Sequence, residues 1–76
     1  MSRRIKIGLI GFGRMGCKFF TELSKNDKWE VAYICDTDAN IRQEASSMAP
    51  NAKITDDENT IFADPDIEDV GLFTLA

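Results

Sequence analysis

Three glycines spaced as Gly-x-Gly-x-x-Gly could bring a peptide backbone close to phosphate groups. They are Gly11, Gly13 and Gly16, and they follow the apolar run Ile5–Ile10. In such a turn the first glycine permits a tight bend, the second leaves room for a pyrophosphate, and the third lets a helix pack closely on the strand. The N-terminus of that helix offers unpaired N–H groups and the positive end of its dipole. The spacing therefore predicts an anion-binding turn between a strand and a helix.

An acidic residue ends a second apolar run further along the chain. The run covers residues 31–35, and the acid is Asp36. A carboxylate at the end of a second strand could accept hydrogen bonds from the hydroxyls of an adenosine ribose. Strand, glycine turn, helix, strand and terminal acid together form the dinucleotide-binding fingerprint. The alternatives are a structural turn in a nucleotide-free domain and an Asp36 that only caps the next helix. We favour dinucleotide binding.

Strand-like and helix-like periods alternate along the whole sequence. Right-handed crossovers would place the four expected strands in the order 3-2-1-4. The predicted fold class is therefore α/β: a Rossmann-like, doubly wound parallel sheet, partial, with four strands and three helices. The expected strands cover residues 4–10, 29–35, 52–55 and 70–75. The expected helices are one over residues 14–25, one that Thr37 or Asp38 caps and Pro50 closes, and a short one that Asp56 or Asp57 caps.

The first helix carries apolar residues at helical spacing. Met15, Phe19 and Leu23 stand at i, i+4 and i+8, with Gly16 and Phe20 beside them. Such a stripe predicts packing against the sheet rather than contact with a cofactor.

Charge is unevenly distributed over the 76 residues, whose formal net charge is −4. Residues 1–28 carry a net charge of +5, and residues 29–76 carry −9. The basic part contains the glycine turn, which suits an anionic ligand. Charge alone, however, favours ordinary solvated faces. An acidic chain without a basic, aromatic patch is not expected to bind nucleic acid.

The residue types present restrict catalysis and metal binding. The chain has no histidine, and its two cysteines, Cys17 and Cys35, do not form a C-x-x-C motif. We expect reduced thiols, no metal site and no catalytic residue within the chain. No apolar run is long enough for a membrane span, and the basic N-terminus does not introduce a signal peptide. These observations predict a soluble, cytoplasmic protein.

Three segments carry a resemblance to a known family. They are residues 7–16 (IGLIGFGRMG), 30–38 (EVAYICDTD) and 62–70 (FADPDIEDV). The chain resembles the N-terminal cofactor domain of the glucose–fructose oxidoreductase / inositol dehydrogenase / MocA-like family. The first segment is shared by many dehydrogenases, whereas the third is more particular to this family. A start like that of glyceraldehyde-3-phosphate dehydrogenase shares the glycine segment but not the third one.

The resemblance implies a two-domain NAD(P)-dependent oxidoreductase that transfers a hydride between nicotinamide and a sugar, cyclitol or related polyol. Residues 1–76 would be its N-terminal dinucleotide-binding domain, truncated, with the catalytic domain absent and the fragment inactive alone. In the family the catalytic lysine lies in a later Glu-Lys-Pro motif, and the full-length protein would be a homo-oligomer. One departure is Leu75-Ala76, where the family commonly has a small residue or threonine followed by proline. The alternative is a non-enzymatic module that senses NAD(H).

The resemblance carries cofactor-binding roles over to Gly11, Gly13, Gly16 and Asp36. The other candidate cofactor-binding residues are Phe12, Arg14, Met15 and Thr37, which would contribute backbone contacts or line the loop. Phe12 either shields the cofactor or, as we favour, fills the loop, and Arg14 either lies over the pyrophosphate or reaches solvent.

The carboxylate of Asp36 predicts NAD rather than NADP, because it would repel a 2′-phosphate. The next two residues, Thr37 and Asp38, supply no arginine to bind such a phosphate. Arg42 stands one turn into the next helix, and no phosphate contact is assigned to it.

Overall fold

The computed structural model describes residues 4–73, in which strands and helices alternate. All strand pairs are parallel, and the sheet has the order β3-β2-β1-β4. The predicted fold class and strand order are therefore confirmed. The elements are β1 (Ile5–Ile10), α1 (Arg14–Ser24), β2 (Trp29–Cys35), α2 (Ala39–Met48), β3 (Lys53–Thr55), α3 (Asn59–Phe62) and β4 (Asp69–Leu72). The Leu75-Ala76 departure and residues 1–3 lie outside the described residues.

Strand β1 occupies an inner position in the sheet because most of its side chains are apolar and suited to burial on both faces. Leu9 is fully buried, and Ile7 and Ile10 are at most 5% exposed. Ile10 pairs with Cys35 of β2. The residues that follow these two strands therefore leave the sheet side by side at its carboxyl edge.

The helices cover the two faces of the sheet separately. Leu23 of α1 and Ala45 of α2 share one buried cluster with Leu9 and Ile34. On the opposite face, Ile61 of α3 packs in a second cluster, with Ile10, Tyr33 and Cys35. Helices on both faces of a parallel sheet are the arrangement that the alternating pattern predicts.

The side chain of Ile61, in the short helix α3, packs directly against the backbone of β1 at Gly8. A Cβ atom added to Gly8 of β1 would lie 2.6 Å from Cγ2 of Ile61. Contacts this short do not occur between real side chains, so only glycine fits here without a shift of its neighbours. Gly8 thus lets Ile61 reach the centre of the sheet, where it is fully buried.

The predicted core position of Met15 is wrong, since this side chain is 64% exposed. Gly16 instead takes the inward position at the start of α1, and Leu23, seven residues later, is the next fully inward residue. Because adjacent helical residues point about 100° apart, an inward Gly16 turns Met15 toward solvent. Phe19 and Phe20 flank the inward stripe and are partly buried.

Helix starts differ in how their N–H groups are satisfied. Asp38 is the N-cap of α2, and its carboxylate accepts hydrogen bonds from the N–H groups of Asn40 and Ile41. The predicted cap of α3 by Asp56 or Asp57 is wrong by one position, because Glu58 occupies the N-cap without a side-chain bond. The Asp57 carboxylate still accepts the N–H of Asn59 at 2.9 Å, because an aspartate side chain readily forms a local turn with the residue two positions on.

No helix in residues 4–73 has the length and apolar character needed to cross a membrane.

Candidate cofactor-binding site

Gly11 makes the turn that leaves β1. Its φ angle is 91°, a left-handed conformation that costs a glycine little but strains other residues. Its N–H donates to the carbonyl of Cys35 at 2.7 Å, so the turn starts while still bonded to β2. The tight bend predicted for the first glycine of the motif is thus present.

Gly16 lets α1 lie directly against that turn. A Cβ atom at this position would be 2.3 Å from the carbonyl oxygen of Gly11. The obstacle is backbone, which cannot move aside as a flexible side chain could. The third glycine is therefore required by close packing of helix and turn, as its place in the motif predicts.

Gly13 differs from both of these glycines, because nothing within the described protein requires it. Its backbone is extended, with φ of −70° and ψ of −155°, so it does not adopt the left-handed conformation that favours glycine. Among the described residues, apart from its own chain neighbours, no heavy atom lies within 4 Å of the position that its Cβ would occupy. A side chain at this position would therefore enter open space.

The same residue is the N-cap of α1, and it supplies no side-chain hydrogen bond to the helix. The first N–H groups of an α-helix have no partner within the helix. The first turn of α1 also carries no acidic residue that would neutralise the positive end of the helix dipole. Helix α2, in contrast, is capped by Asp38.

The carboxylate of Asp36 is oriented by two backbone donors. Its Oδ2 accepts the N–H of Phe12 at 2.9 Å, and its Oδ1 accepts the N–H of Asp38 at 2.9 Å. Each carboxylate oxygen can accept a further hydrogen bond. The half-buried Asp36 therefore holds the glycine loop and retains acceptor capacity for a ligand hydroxyl.

A cleft of about 340 Å³ opens at this edge of the sheet. It lies between the glycine turn and the segment after β3. Burial raises the pKa of the Cys35 thiol in its wall, and the nearby carboxylates, Glu58 first among them, raise that pKa further. The cleft is lined by Ile10, Gly11, Cys35, Asp36, Thr37, Asp56, Asp57, Glu58 and Asn59.

The remaining predicted site residues take up different positions. Phe12 is 3% exposed and meets Phe20 edge-on at 5.8 Å between ring centroids, which confirms that its ring fills the loop. Arg14 and Met15 are exposed in the first turn of α1, and Thr37 is exposed directly after Asp36. A contact of Arg14, Met15 or Thr37 with a cofactor stays a prediction.

One residue near this site was not assigned from the sequence. Arg42 is half-buried, and its Nη1 donates to the main-chain carbonyl of Asp36 at 2.9 Å. Its place one turn into α2 was the available signal, but sequence does not show which way a long side chain turns. Among the described residues, no group of three or more histidine, cysteine or acidic side chains could hold a metal ion.

The fold and the glycine turn together define a Rossmann-like dinucleotide-binding class of domain. Solved structures resemble it closely. The WlbA dehydrogenase from Chromobacterium violaceum, in complex with NADH and UDP-GlcNAcA, is 29% identical with a TM-score of 0.86; the match covers 95% of this chain and 21% of that one. The myo-inositol dehydrogenase from Lactobacillus casei, in complex with NAD(H) and myo-inositol, is also 29% identical at a TM-score of 0.86, over 96% of this chain and 22% of that one.

A third structure, the WlbA dehydrogenase from Bordetella pertussis with NADH and UDP-GlcNAcA, is 26% identical at a TM-score of 0.84, over 95% of this chain and 22% of that one. These neighbours are dehydrogenases of the glucose–fructose oxidoreductase / inositol dehydrogenase / MocA type, so the resemblance predicted from the sequence is confirmed. This chain spans about a fifth of their length. No family model and no curated protein sequence matches it.

Proposed function

We propose that this chain is the NAD-binding part of an oxidoreductase that transfers a hydride between nicotinamide and a sugar, cyclitol or related polyol. One observation carries the proposal. Gly13 stands at an uncapped helix N-terminus, and neither its backbone angles nor its neighbours require a glycine. The fold does not require a glycine at this position. A ligand that occupies the space in front of Gly13 would explain why a side chain is absent.

The pyrophosphate of NAD would lie over Gly13, where the unpaired N–H groups at the start of α1 would donate to its oxygens. Gly11 and Gly16 shape the turn, Phe12 supports it from inside, and Arg14 would add a positive charge beside the phosphates. Met15, in the same turn of α1, would line the loop by its backbone.

The adenosine ribose would lie beside Asp36, whose fixed carboxylate would accept hydrogen bonds from its two hydroxyls. Thr37 would line the same end of the site. A 2′-phosphate would meet the carboxylate of Asp36 and also Asp57 and Glu58 across the cleft. NAD is therefore proposed as the cofactor, with NADP the weaker ligand.

Bound NAD would supply the hydride acceptor, and the residues of this chain would hold and orient it. We assign no catalytic or metal-ligating residue within residues 1–76, which we propose form the N-terminal dinucleotide-binding domain of a longer, cytoplasmic, homo-oligomeric enzyme. The sugar and inositol ligands of the neighbours support a polyol or sugar substrate. No observation favours a non-enzymatic NAD(H) sensor.

Calorimetric titration with NAD tests the site. The test compares the unaltered chain, Gly13→Val and Lys25→Gln; Lys25 lies in an exposed ion pair with Glu22 at the far end of α1. The introduced valine side chain would enter open space, so the fold should be kept while NAD binding falls at least about tenfold. Lys25→Gln should bind as the unaltered chain does. Equal NAD binding by a folded Gly13→Val variant, or no binding by the unaltered chain, would overturn the proposal.

A further inference from the structure

Phe73 follows β4 directly and lies against the start of α1. Its N–H donates to the carbonyl oxygen of Ile10, the residue before the glycine turn, at 2.7 Å. Its Cβ atom is 3.7 Å from the position that a Cβ at Gly16 would occupy. Its ring meets that of Phe19 with 4.8 Å between the centroids and 39° between the planes. Phe73 therefore joins the end of β1 to the start of α1.

Gly71 of β4 leaves the space that this ring occupies. A Cβ atom at Gly71 would lie 2.7 Å from Cε2 of Phe73 and 3.3 Å from Cδ2 of Leu9. A glycine inside a strand weakens it and often marks a close approach to the backbone. Here the ring of Phe73 makes that approach. Because the ring lies between the backbone of β4 and the ring of Phe19, its position is fixed from both sides.

Helix α1 meets Phe73 on one face. Gly16 and Phe19 are three positions apart and are therefore neighbours on the helix surface. The same face is held from the side of the glycine turn, where Gly16 packs on the carbonyl of Gly11. Phe73 holds it from the side of β4. These two contacts together set the orientation of the start of α1 on the sheet.

This orientation matters because the proposed phosphate donors are main-chain N–H groups. A side chain can turn to follow a ligand, whereas the N–H groups of a helix move only with the helix. Hydrogen bonds weaken steeply as the donor angle departs from a straight line. A tilt of α1 would therefore weaken phosphate binding and leave Asp36 in place, since its carboxylate is held by the N–H groups of Phe12 and Asp38.

We infer that Phe73 is a positioning residue, which holds the start of α1 in the orientation that pyrophosphate binding needs. The inference rests on the proposed function, since it assumes that the pyrophosphate lies at the N-terminus of α1. Phe73 is not among the residues that line the cleft beside Asp36. It acts on the ligand through Gly16 and Phe19.

Calorimetry with ADP and with adenosine tests this role, because the two ligands differ only in the diphosphate. The variants are Phe73→Leu, Phe19→Leu and the double variant, with Phe62→Leu as the matched control. Phe62 is 60% exposed in α3, so its replacement removes a ring of the same size away from α1. Thermal unfolding establishes that each variant is folded at the temperature of the titration.

Phe73→Leu is expected to bind ADP at least about fivefold more weakly than the unaltered chain, because hydrogen bonds to charged groups contribute about tenfold each and are lost in part when misaligned. Its affinity for adenosine should change by less than about twofold. Phe19→Leu should have the same effect, and the double variant should lose little more than either single variant, since both changes disrupt one ring pair. Phe62→Leu should bind both ligands as the unaltered chain does.

The outcomes separate this inference from the proposed function. If the unaltered chain binds ADP more tightly than adenosine and Phe73→Leu keeps that difference, Phe73 has no positioning role and the cofactor site stands. An equal loss of both ligands in Phe73→Leu refutes the inference, because it shows a general effect on the fold. Additive losses in the double variant refute it too, because the rings then act separately.

If the unaltered chain binds ADP no more tightly than adenosine, the phosphate site is absent and both proposals fall. Should Phe73→Leu not fold, the decision passes to Phe19→Leu, which removes the same ring pair from the helix side. The inference then stands if Phe19→Leu weakens ADP binding more than adenosine binding, and falls if it does not.

Discussion

Asp36 and Phe12 join the two strands that end at the candidate site. The carboxylate at the end of β2 accepts the N–H of Phe12, in the loop after β1, at 2.9 Å. The second oxygen of the same carboxylate accepts the N–H of Asp38, before α2. One side chain thus fixes the conformation of the glycine loop and of the α2 start, so the proposed pyrophosphate and ribose positions belong to one hydrogen-bonded unit.

Replacing Asp36 with alanine should therefore reduce stability as well as NAD binding. Two backbone N–H groups lose their acceptor, which we expect to lower the free energy of unfolding by about 1–3 kcal/mol. Urea unfolding gives that loss, and amide hydrogen exchange should show faster exchange at Phe12. Asp66→Ala is the matched control, an exposed acid in the turn after α3. If Asp36→Ala and Asp66→Ala unfold alike, Asp36 does not hold the loop.

Replacement by alanine should destabilise the protein more at Gly16 than at Gly13. In an ordinary helix Gly→Ala stabilises by about 1 kcal/mol. At Gly16 the new methyl group would collide with the carbonyl of Gly11, so we expect a net loss of about 1–3 kcal/mol. Gly13→Ala should lower the free energy of unfolding by less than about 1 kcal/mol, because the methyl group meets no atom and only the preference of an N-cap for glycine over alanine is lost. Chemical denaturation of both variants shows which glycine is required for packing of the protein. A Gly16→Ala variant as stable as the unaltered chain would contradict the close approach of α1 to the carbonyl of Gly11.

Tyr33→Phe should change how the stability of the protein depends on pH. The N–H of Asp66 and then the hydroxyl of Tyr33, at 2.8 Å, lower the pKa of the Asp64 carboxyl from its ordinary 3.8. A lowered pKa contributes stability above pH 3.8 that is lost as the pH falls through the folded pKa. The variant lacks part of this contribution, so its deficit should be largest near neutral pH and shrink below about pH 4. Thermal unfolding across that range measures the deficit, and a pH-independent difference would show that Asp64 is not involved.

The two thiols should react at different rates with a disulfide reagent. Cys35 is 4% exposed and its pKa is raised by burial, so little reactive thiolate is accessible. Cys17 is only partly buried, with its sulfur 3.5 Å from that of Met48. We expect one fast-reacting thiol in the folded chain and two in urea, with peptide mapping to identify Cys17 as the fast one. Equal rates in the folded state would mean that the end of β2 opens readily.

The elements that position the candidate site could be predicted from the sequence, whereas most of the side-chain contacts within the site could not. The glycine spacing, the apolar strands and the rule of right-handed crossovers are local or general, so the sheet order and the turn at Gly11 followed from them. The exposed Met15 did not, because a one-residue difference in helix phase depends on where Gly16 meets the turn. Contacts such as Asp36 to Phe12, or Arg42 to Asp36, join atoms that no periodicity relates.

Because α1 lacks a side-chain cap, the stability of the empty protein and its affinity for a ligand place opposite demands on the residue at position 13. Serine, asparagine or aspartate at an N-cap stabilises a helix by roughly a few tenths of a kcal/mol more than glycine does, and Gly13 forgoes that contribution. In the proposed complex the phosphates of the ligand would serve as the cap that the chain lacks. Ligand binding and folding would then be coupled, because the N-terminus of α1 would be capped only in the bound state. A residue at position 13 that stabilised the empty protein would therefore lower its affinity for the ligand.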